Sequence, residues 1–299
     1  AFYTIPSTKI SKKTLQRDDI NFLEKKDQLY ILGNSAEEFA NLYNDNTRRP
    51  VESGLLNPKE EEGICVIKAL IDAVIQKPHK QGELIGFSVP GEPVDQTSST
   101  VFHESVIKMH LQAMGYTPIA INEGLSVVLS ELSGNNFTGI GISFGGGMCN
   151  VCLSYLSVPV ITFSIQKGGD YIDYQVGKAV GESATKIKQI KEAELDLSVE
   201  ARNKIETGLH IFYDDLFSIL LKSLQQVLGT SENMPRISSK IPIVLSGGSV
   251  LPQGSCEKFD RALAAVKLPL QISDVRLSEK PLFTTAKGAL KMAMEEGKI

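Results

Sequence analysis

Hydrophobic positions recur along this chain with two periods, and the switches between them mark its elements. Phe2 to Ile10 and Asp27 to Gly33 read as short strands, the first followed by a polar, lysine-rich turn. Ser35 to Leu42 predicts a helix with Ser35 as its cap and Glu38 completing a capping box. Thr47 to Gly54 is a loop holding Arg48, Arg49 and Pro50, a pair of arginines able to meet a phosphate or a partner, or simply solvated. Ile64, Ile67, Leu70, Ile71, Val74 and Ile75 then fall at helical spacing, predicting an amphipathic helix over Pro58 to Gln76 that Pro78 stops. Leu84 to Pro90 reads as a buried strand ending in the turn Gly91-Glu92-Pro93, and Ser98 to Gly115 as a helix closed by its glycine. Pro118 to Ile121 is a short strand feeding Asn122-Glu123-Gly124 and the helix Leu125 to Leu132. This alternation marks an α/β domain with a largely parallel sheet.

The pattern changes at Thr138 to Asn150, TGIGISFGGGMCN. Ile140, Ile142 and Phe144 alternate with small residues, run into Gly145, Gly146 and Gly147, and apolar residues resume in Val151 to Phe163. Strand, glycine turn and second strand make a hairpin rather than a strand-to-helix loop. Three glycines permit positive φ and gather several N–H groups near one point, a nest suited to an anion; a plain tight turn is the other reading. Farther on, Asp170 is placed to cap a helix from Tyr171 to Gly181. Ser183 to Leu228 is mostly helical, with Gly208 expected to break or bend it. A polar linker from Thr230 to Ser239 leads to the buried strand Ile241 to Leu245 and the turn Ser246-Gly247-Gly248-Ser249. A helix over Cys256 to Val266, a strand over Leu270 to Ile272 and a last helix from Thr284 to Glu296 finish the chain.

Composition narrows the function without naming it. The 299 residues suggest about two domains, and 42% hydrophobic with 22% charged residues is ordinary for a globular protein. A net charge of −4 gives no nucleic-acid footprint. No apolar run is long enough to span a bilayer and no signal peptide is visible, so membrane contact is not evident. Cys149 and Cys152 form a CxxC, but within a strand an odd separation points them to opposite faces, and neither a second CxxC nor a nearby histidine accompanies them. They read as buried strand cysteines of a cytoplasmic, reducing compartment. His103 and His110 lie two turns apart with no third ligand, which argues against a metal site.

Three motifs stand in a telling order: Asn122-Glu123-Gly124-Leu125-Ser126, then Ser143 to Met148, then Ile243 to Gly254, IVLSGGSVLPQG. Together they resemble the ATPase core shared by actin, the bacterial actin-like proteins, the heat-shock chaperone ATPases and the sugar kinases, and most of all MreB-type bacterial actins. Gly168-Gly169-Asp170 through Asp173, the turn GFSVPG at Gly86 to Gly91, and the tail Pro281-Leu282 through Ala289 support the likeness, which spans nearly the whole chain from Pro6 onward.

The resemblance implies an α/β, two-lobed actin-like ATPase fold with ribonuclease H-like lobes and a nucleotide cleft between them. Lobe I would take residues 1–136, with a small subdomain at about 12–52, completed by 281–299; lobe II would take 137–280, with a helical subdomain at about 171–240. It implies ATP or ADP with Mg²⁺. Gly145, Gly146, Gly147 and Met148 would meet the phosphates, while Gly168, Gly169, Gly247, Gly248 and Ser249 would line the cleft around the nucleoside. Lys188 would fall near the adenine or ribose, unless it belongs to a solvated helix face. Glu123 would be the catalytic, water-positioning carboxylate, the alternative being a helix-initiating acid stabilised by the dipole.

Two departures stand out. The N-terminal D-x-G-[ST] phosphate loop of the family has no counterpart, and the chain, which opens at Ala1, is expected to begin just after it. Ser143 stands where the family has an aspartate near Mg²⁺, so no protein ligand to the metal is assigned and Ser143 would act through water; Met148 replaces a threonine. The expected function is a filament-forming, nucleotide-regulated cytoskeletal protein with slow ATP hydrolysis, self-association being its main partnership and nucleic acid none. The alternatives are a non-polymerising nucleotide switch or assembly factor of the same fold, and a small-molecule kinase.

Overall fold

The computed structural model describes residues 1–95, 99–231, 234, 235, 237 and 239–297. Strand β1 (Phe2–Pro6) stops at its proline, and the lysine-rich segment beyond it is a helix rather than a turn, α1 (Lys9–Arg17). Thr8 caps α1 through the Ser11 amide, Ser11 returns the bond, and Leu15 is buried beneath it. One apolar anchor and a reciprocal cap therefore suffice for nine residues. Strands β2 (Phe22–Lys25) and β3 (Gln28–Leu32) complete an antiparallel sheet ordered β1-β3-β2.

Helix α2 (Asn34–Leu42) follows, capped by Gly33 at φ +71° with no side-chain bond, so the expected Ser35 cap and capping box do not form. Ser35 already lies inside the helix, two residues past the cap position. The loop with the arginine pair ends in a miniature hairpin of β4 (Val51–Glu52) and β5 (Leu55–Leu56). Ser53 (φ 48°) and Gly54 (φ +80°) form its turn, both left-handed as a type I′ turn demands.

Helix α3 (Gly63–Val74) is shorter than its apolar spacing predicts. Strand β6 (Glu83–Val89), helix α4 (Val101–Ala113), strand β7 (Tyr116–Asn122) and helix α5 (Glu123–Glu131) then form a βαβα run, with β6 and β7 parallel. The expected start of α4 at Ser98 lies outside the described residues.

The second lobe is built on β8 (Gly139–Phe144), β9 (Cys149–Tyr155) and β10 (Val158–Ile165), an antiparallel meander whose first turn is the glycine triplet. Helices α6 (Gly169–Val180), α7 (Ala184–Glu194) and α8 (Lys204–Thr230) follow. Then come β11 (Ile241–Ser246), α9 (Ser255–Ala264), β12 (Ile272–Leu277) and α10 (Thr284–Glu296). Strand β11 joins β8 in parallel, giving the five-stranded order β10-β9-β8-β11-β12. Helix α10 returns to pack on α5 and β6, tying the chain's end to its first lobe.

Helix α8 runs unbroken through Gly208, against expectation. A Cβ at Gly208 would stand 3.1 Å from Val176 Cγ1, so the glycine serves close helix contact rather than a bend. Its apolar stripe, Leu209, Tyr213, Leu216, Phe217, Leu220, Leu221, Leu224 and Leu228, is buried at helical spacing. This stripe packs beneath the sheet with Ile140, Ile142 and Phe144 of β8. Phe144, Phe217 and Phe259 meet edge to face with centroids 5.3–5.9 Å apart. Each such buried side chain contributes roughly 1.5–3 kcal/mol of transfer free energy.

The opposite face of β8 is made of the small residues, and that choice places the site. A Cβ at Gly141 would lie 2.4 Å from the Gly124 carbonyl, and one at Gly124 only 2.6 Å from the Cys152 amide. Helix α5 thus lies almost directly on the sheet, with its N-terminus over the ends of β8 and β9. The cysteines divide as their odd spacing predicts, Cys149 in the core under the sheet and Cys152 toward α5. Burial pushes the Cys152 thiol up to about 12, which leaves it an inert packing group.

Candidate functional site: a glycine-lined loop beside Glu123

Asn122 ends β7 and caps α5, its side chain accepting from the Leu125 amide at 3.2 Å. Glu123 therefore falls on the first helical residue. Ser143 and Asn150 are cross-strand partners on β8 and β9, so both point toward it. Ser143 Oγ and Asn150 Nδ2 each donate to Glu123 Oε2 at 3.0 Å. Burial raises the affinity of this carboxyl for a proton, and the two hydrogen bonds pull the other way without cancelling it. Asn150 also reaches across the lobes, its Oδ1 accepting from the Gly91 amide at 2.8 Å, while Ser164 Oγ donates to the Gly91 carbonyl. Both helix-dipole stabilisation and the water-positioning role remain compatible with this placement of Glu123.

The glycine triplet works differently from its sequence-based expectation. None of Gly145, Gly146 and Gly147 has positive φ. What the loop needs is the absence of Cβ atoms. A Cβ at Gly147 would meet the Gly54 amide nitrogen at 2.1 Å, and one at Gly146 would meet the Asp170 carboxylate at 3.2 Å. The carbonyl of Gly145 accepts from the Gly169 amide at 3.0 Å and from Ser249 Oγ at 2.9 Å, and the carbonyl of Gly146 accepts from the Asp170 amide at 2.8 Å. In a trans peptide the following N–H points opposite to the carbonyl. Anchoring those two carbonyls to the start of α6 therefore turns the Gly146 and Gly147 N–H groups outward together. Among the described residues no backbone carbonyl accepts from either. Two adjacent amides are thus left without a backbone partner, the kind of donor pair that an anion can meet.

The other glycines close around this loop. Gly168, not Asp170, is the cap of α6, and a Cβ on it would stand 2.5 Å from the carbonyls of Gly145 and Gly146. Asp170 is instead in the first turn, its backbone spent on the glycine loop and its carboxylate 2.6 Å from Arg49 Nη1. Gly247 has φ +98° and lies where a Cβ would be 2.2 Å from the Phe144 carbonyl, whereas Gly248 sits in ordinary contact with Leu282. Ser249 bonds Gly145 through its hydroxyl and receives the Tyr213 hydroxyl on its carbonyl at 2.8 Å. Met148 is buried, its side chain covered by the Ser53–Gly54 turn, so only its backbone serves the loop.

Lys188 is placed away from the glycine pair, in an ion pair with Glu37 of α2. The lysine beside the glycines is Lys191, one helical turn farther on. It is buried, donates to the Gly169 carbonyl at 3.1 Å, and lies 2.8 Å from the Asp173 carboxylate. Burial pushes Asp173 up to about 6 despite that ammonium. Sequence reasoning missed Lys191 and Asn150, and named Asp173 only as the end of the motif that starts at Gly168. Their signal was positional, since Asp173 and Lys191 lie on facing helices whose docking no local pattern reveals.

Mg²⁺ finds few ligands here. The Ser143 hydroxyl is committed to Glu123, both donors fall on one carboxylate oxygen, and no group of three or more potential metal-ligating acids, cysteines or histidines occurs among the described residues. A hard octahedral ion would take its remaining ligands from phosphate and water, the usual habit of Mg²⁺. The residues fit that outer-shell role and no richer one. No helix among the described residues is long and apolar enough to cross a membrane.

A two-lobed α/β chain with a glycine hairpin, a GGD helix start and an SGG strand end meeting at one point has the fold of the actin-like proteins. The chain belongs to the Volactin family, whose model matches residues 1–293. No curated protein sequence matches it. Among solved structures it is similar to the MamK double helical filament, at 17% identity over 98% of this chain and 90% of that one, with a TM-score of 0.72. It is also similar to MreB5 of Spiroplasma citri bound to ADP (17% identity, 91% and 88% covered, TM-score 0.63). A third likeness is to the ethanolamine utilization protein EutJ from Carboxydothermus hydrogenoformans (15% identity, 82% and 79% covered, TM-score 0.55).

Proposed function

We propose that this chain binds ATP and ADP between its lobes and uses the nucleotide to govern assembly into filaments, hydrolysing it slowly. The observation that carries the reading is the outward turn of the Gly146 and Gly147 amides, fixed by carbonyl anchors on Gly169, Asp170 and Ser249. Phosphates would sit on those amides, with Mg²⁺ held by phosphate and water near Glu123. The nucleoside would lie along Gly168, Gly169, Gly247 and Lys191. The lobe boundary near residue 137, the small subdomain at about 12–52, the helical subdomain at about 171–240 and a cytoplasmic location are parts of the same proposal. Solved relatives that are a filament in one case and ADP-bound in another support it.

Glu123 is the residue assigned to hydrolysis, orienting water while Asn150 and Ser143 hold its carboxylate still. Phosphoryl transfer needs mostly positioning and charge neutralisation, so a single carboxylate held by Ser143 and Asn150 fits slow turnover. The test is sedimentation and electron microscopy of purified full-length protein with ATP and Mg²⁺. Filaments that appear with ATP and shorten or vanish on nucleotide removal are expected. Monomers across salt and protein concentration would favour the non-polymerising switch.

A further inference from the structure

The arginine pair of the 47–54 loop divides its labour. Arg48 is spent within its own lobe, on Glu60 and on Thr4 Oγ1 at 2.9 Å. Arg49 is not. Its guanidinium crosses to the other lobe and lies 2.6 Å from Asp170, with both side chains about a third exposed. That carboxylate overlies the glycine loop, 3.2 Å from where a Gly146 Cβ would be, and its own amide is bonded to the Gly146 carbonyl. An acid held beside a phosphate nest repels the ligand the nest is built for, unless a cation neutralises it. Arg49 is that cation, and it opens with Ser53, Gly147, Asp170 and Asp173 onto one cavity of about 550 Å³.

We infer that Arg49 is a phosphate-contacting residue supplied by the opposite lobe: when a nucleotide's terminal phosphate reaches the glycine loop, the guanidinium exchanges the Asp170 carboxylate for a phosphate oxygen. This rests on the nucleotide reading above. The planar guanidinium pairs with either oxyanion in the same forked geometry, so the exchange conserves its hydrogen bonds. The terminal phosphate is the one concerned, because Gly168, Gly169 and Gly247 gather around Gly145 and Phe144, whereas Gly147 is the loop's far end, pressed against Gly54. Arg49 arrives with that far end. The contact also couples ligand to lobe position, since the Ser53–Gly54 turn on which Gly147 rests belongs to the same loop as Arg49.

The experiment compares full-length parent, R49A, R49K and D170N by titration with fluorescent ADP and with a fluorescent non-hydrolysable ATP analogue. In R49A the analogue should bind at least ~10-fold more weakly while ADP stays within about threefold, R49K should fall between, and D170N should bind the analogue more tightly than parent. Thermal melts of the four identify any variant that fails to fold, and D170N reports with opposite sign if R49A does. Equal loss for both nucleotides in R49A, or no loss for either, with D170N unchanged, overturns the role of Arg49 alone. A parent that binds neither nucleotide overturns the nucleotide reading itself, and the Arg49 assignment with it.

Discussion

Glu123 is held by opposing influences that a single substitution separates. Burial favours its protonated form, and Ser143 and Asn150 favour the carboxylate. If it orients the attacking water, Glu123→Ala leaves ATP affinity nearly intact and slows hydrolysis by about 10-fold or more, read as phosphate release. Its raised proton affinity gives a sign as well. Hydrolysis by the parent should fall as pH drops through a value above the ordinary carboxylate 4.5, because a protonated carboxyl is a far weaker acceptor and cannot draw a proton from the attacking water. Equal turnover in parent and variant removes Glu123 from the mechanism. The Lys191–Asp173 pair makes a second prediction. Lys191→Met leaves a buried carboxylate without its cation and should cost about 3–5 kcal/mol at neutral pH in urea unfolding. Asp173 is already pushed up to about 6, and the variant raises it further, so protonation at lower pH should recover part of that loss. The place of Glu123 at the start of α5 was legible in the sequence because Asn-Glu-Gly sits between a strand and a helix. Asn150 and Lys191 were not, since one acts through cross-strand register and the other through helix docking.

At the scale of elements, the glycines divide into those that permit contact and those that merely interrupt. Gly247→Ala combines a φ of +98° with a Cβ 2.2 Å from the Phe144 carbonyl and should destabilise by about 2 kcal/mol or more. Gly229 lies in the last turns of α8 with nothing within 4 Å, so Gly229→Ala should stabilise by up to about 1 kcal/mol. Urea midpoints of the two variants shifting in opposite directions would bear this out. The hairpin of β8 and β9 was legible from apolar alternation around the glycine triplet, β11 from its apolar run, and the helical character of α8, though not its continuity through Gly208, from its apolar spacing. Helix α1 escaped because its stability comes from one buried leucine and a Thr8–Ser11 cap in a polar run. The bend at Gly208 was expected from propensity, and packing against Val176 overrode it.

Across the whole molecule, the first fifty residues and helices α6 and α7 are joined by Arg49–Asp170, by Lys188–Glu37 and by the Thr47 amide donating to Thr185 Oγ1 at 3.3 Å. Thr47, Arg49, Asp170 and Thr185 among them line the cavity of about 550 Å³. A partly buried pair is worth about 1 kcal/mol, so Glu37→Gln should release bound nucleotide roughly fivefold faster in a chase experiment and weaken its salt dependence. The two-lobed architecture was readable from the strand–helix alternation and from the order of the glycine motifs, which resembles that of the actin-like fold. The contacts between the first fifty residues and helices α6 and α7 were not readable, since their partners lie far apart in the chain. The proposed nucleotide contact rests on the outward-facing amides of Gly146 and Gly147. Calorimetric titration of full-length protein with ATP and Mg²⁺ addresses them directly. The account predicts saturable binding at about one nucleotide per chain with a dissociation constant below about 1 mM, and the absence of binding heat and of competition by ADP across that range would contradict it.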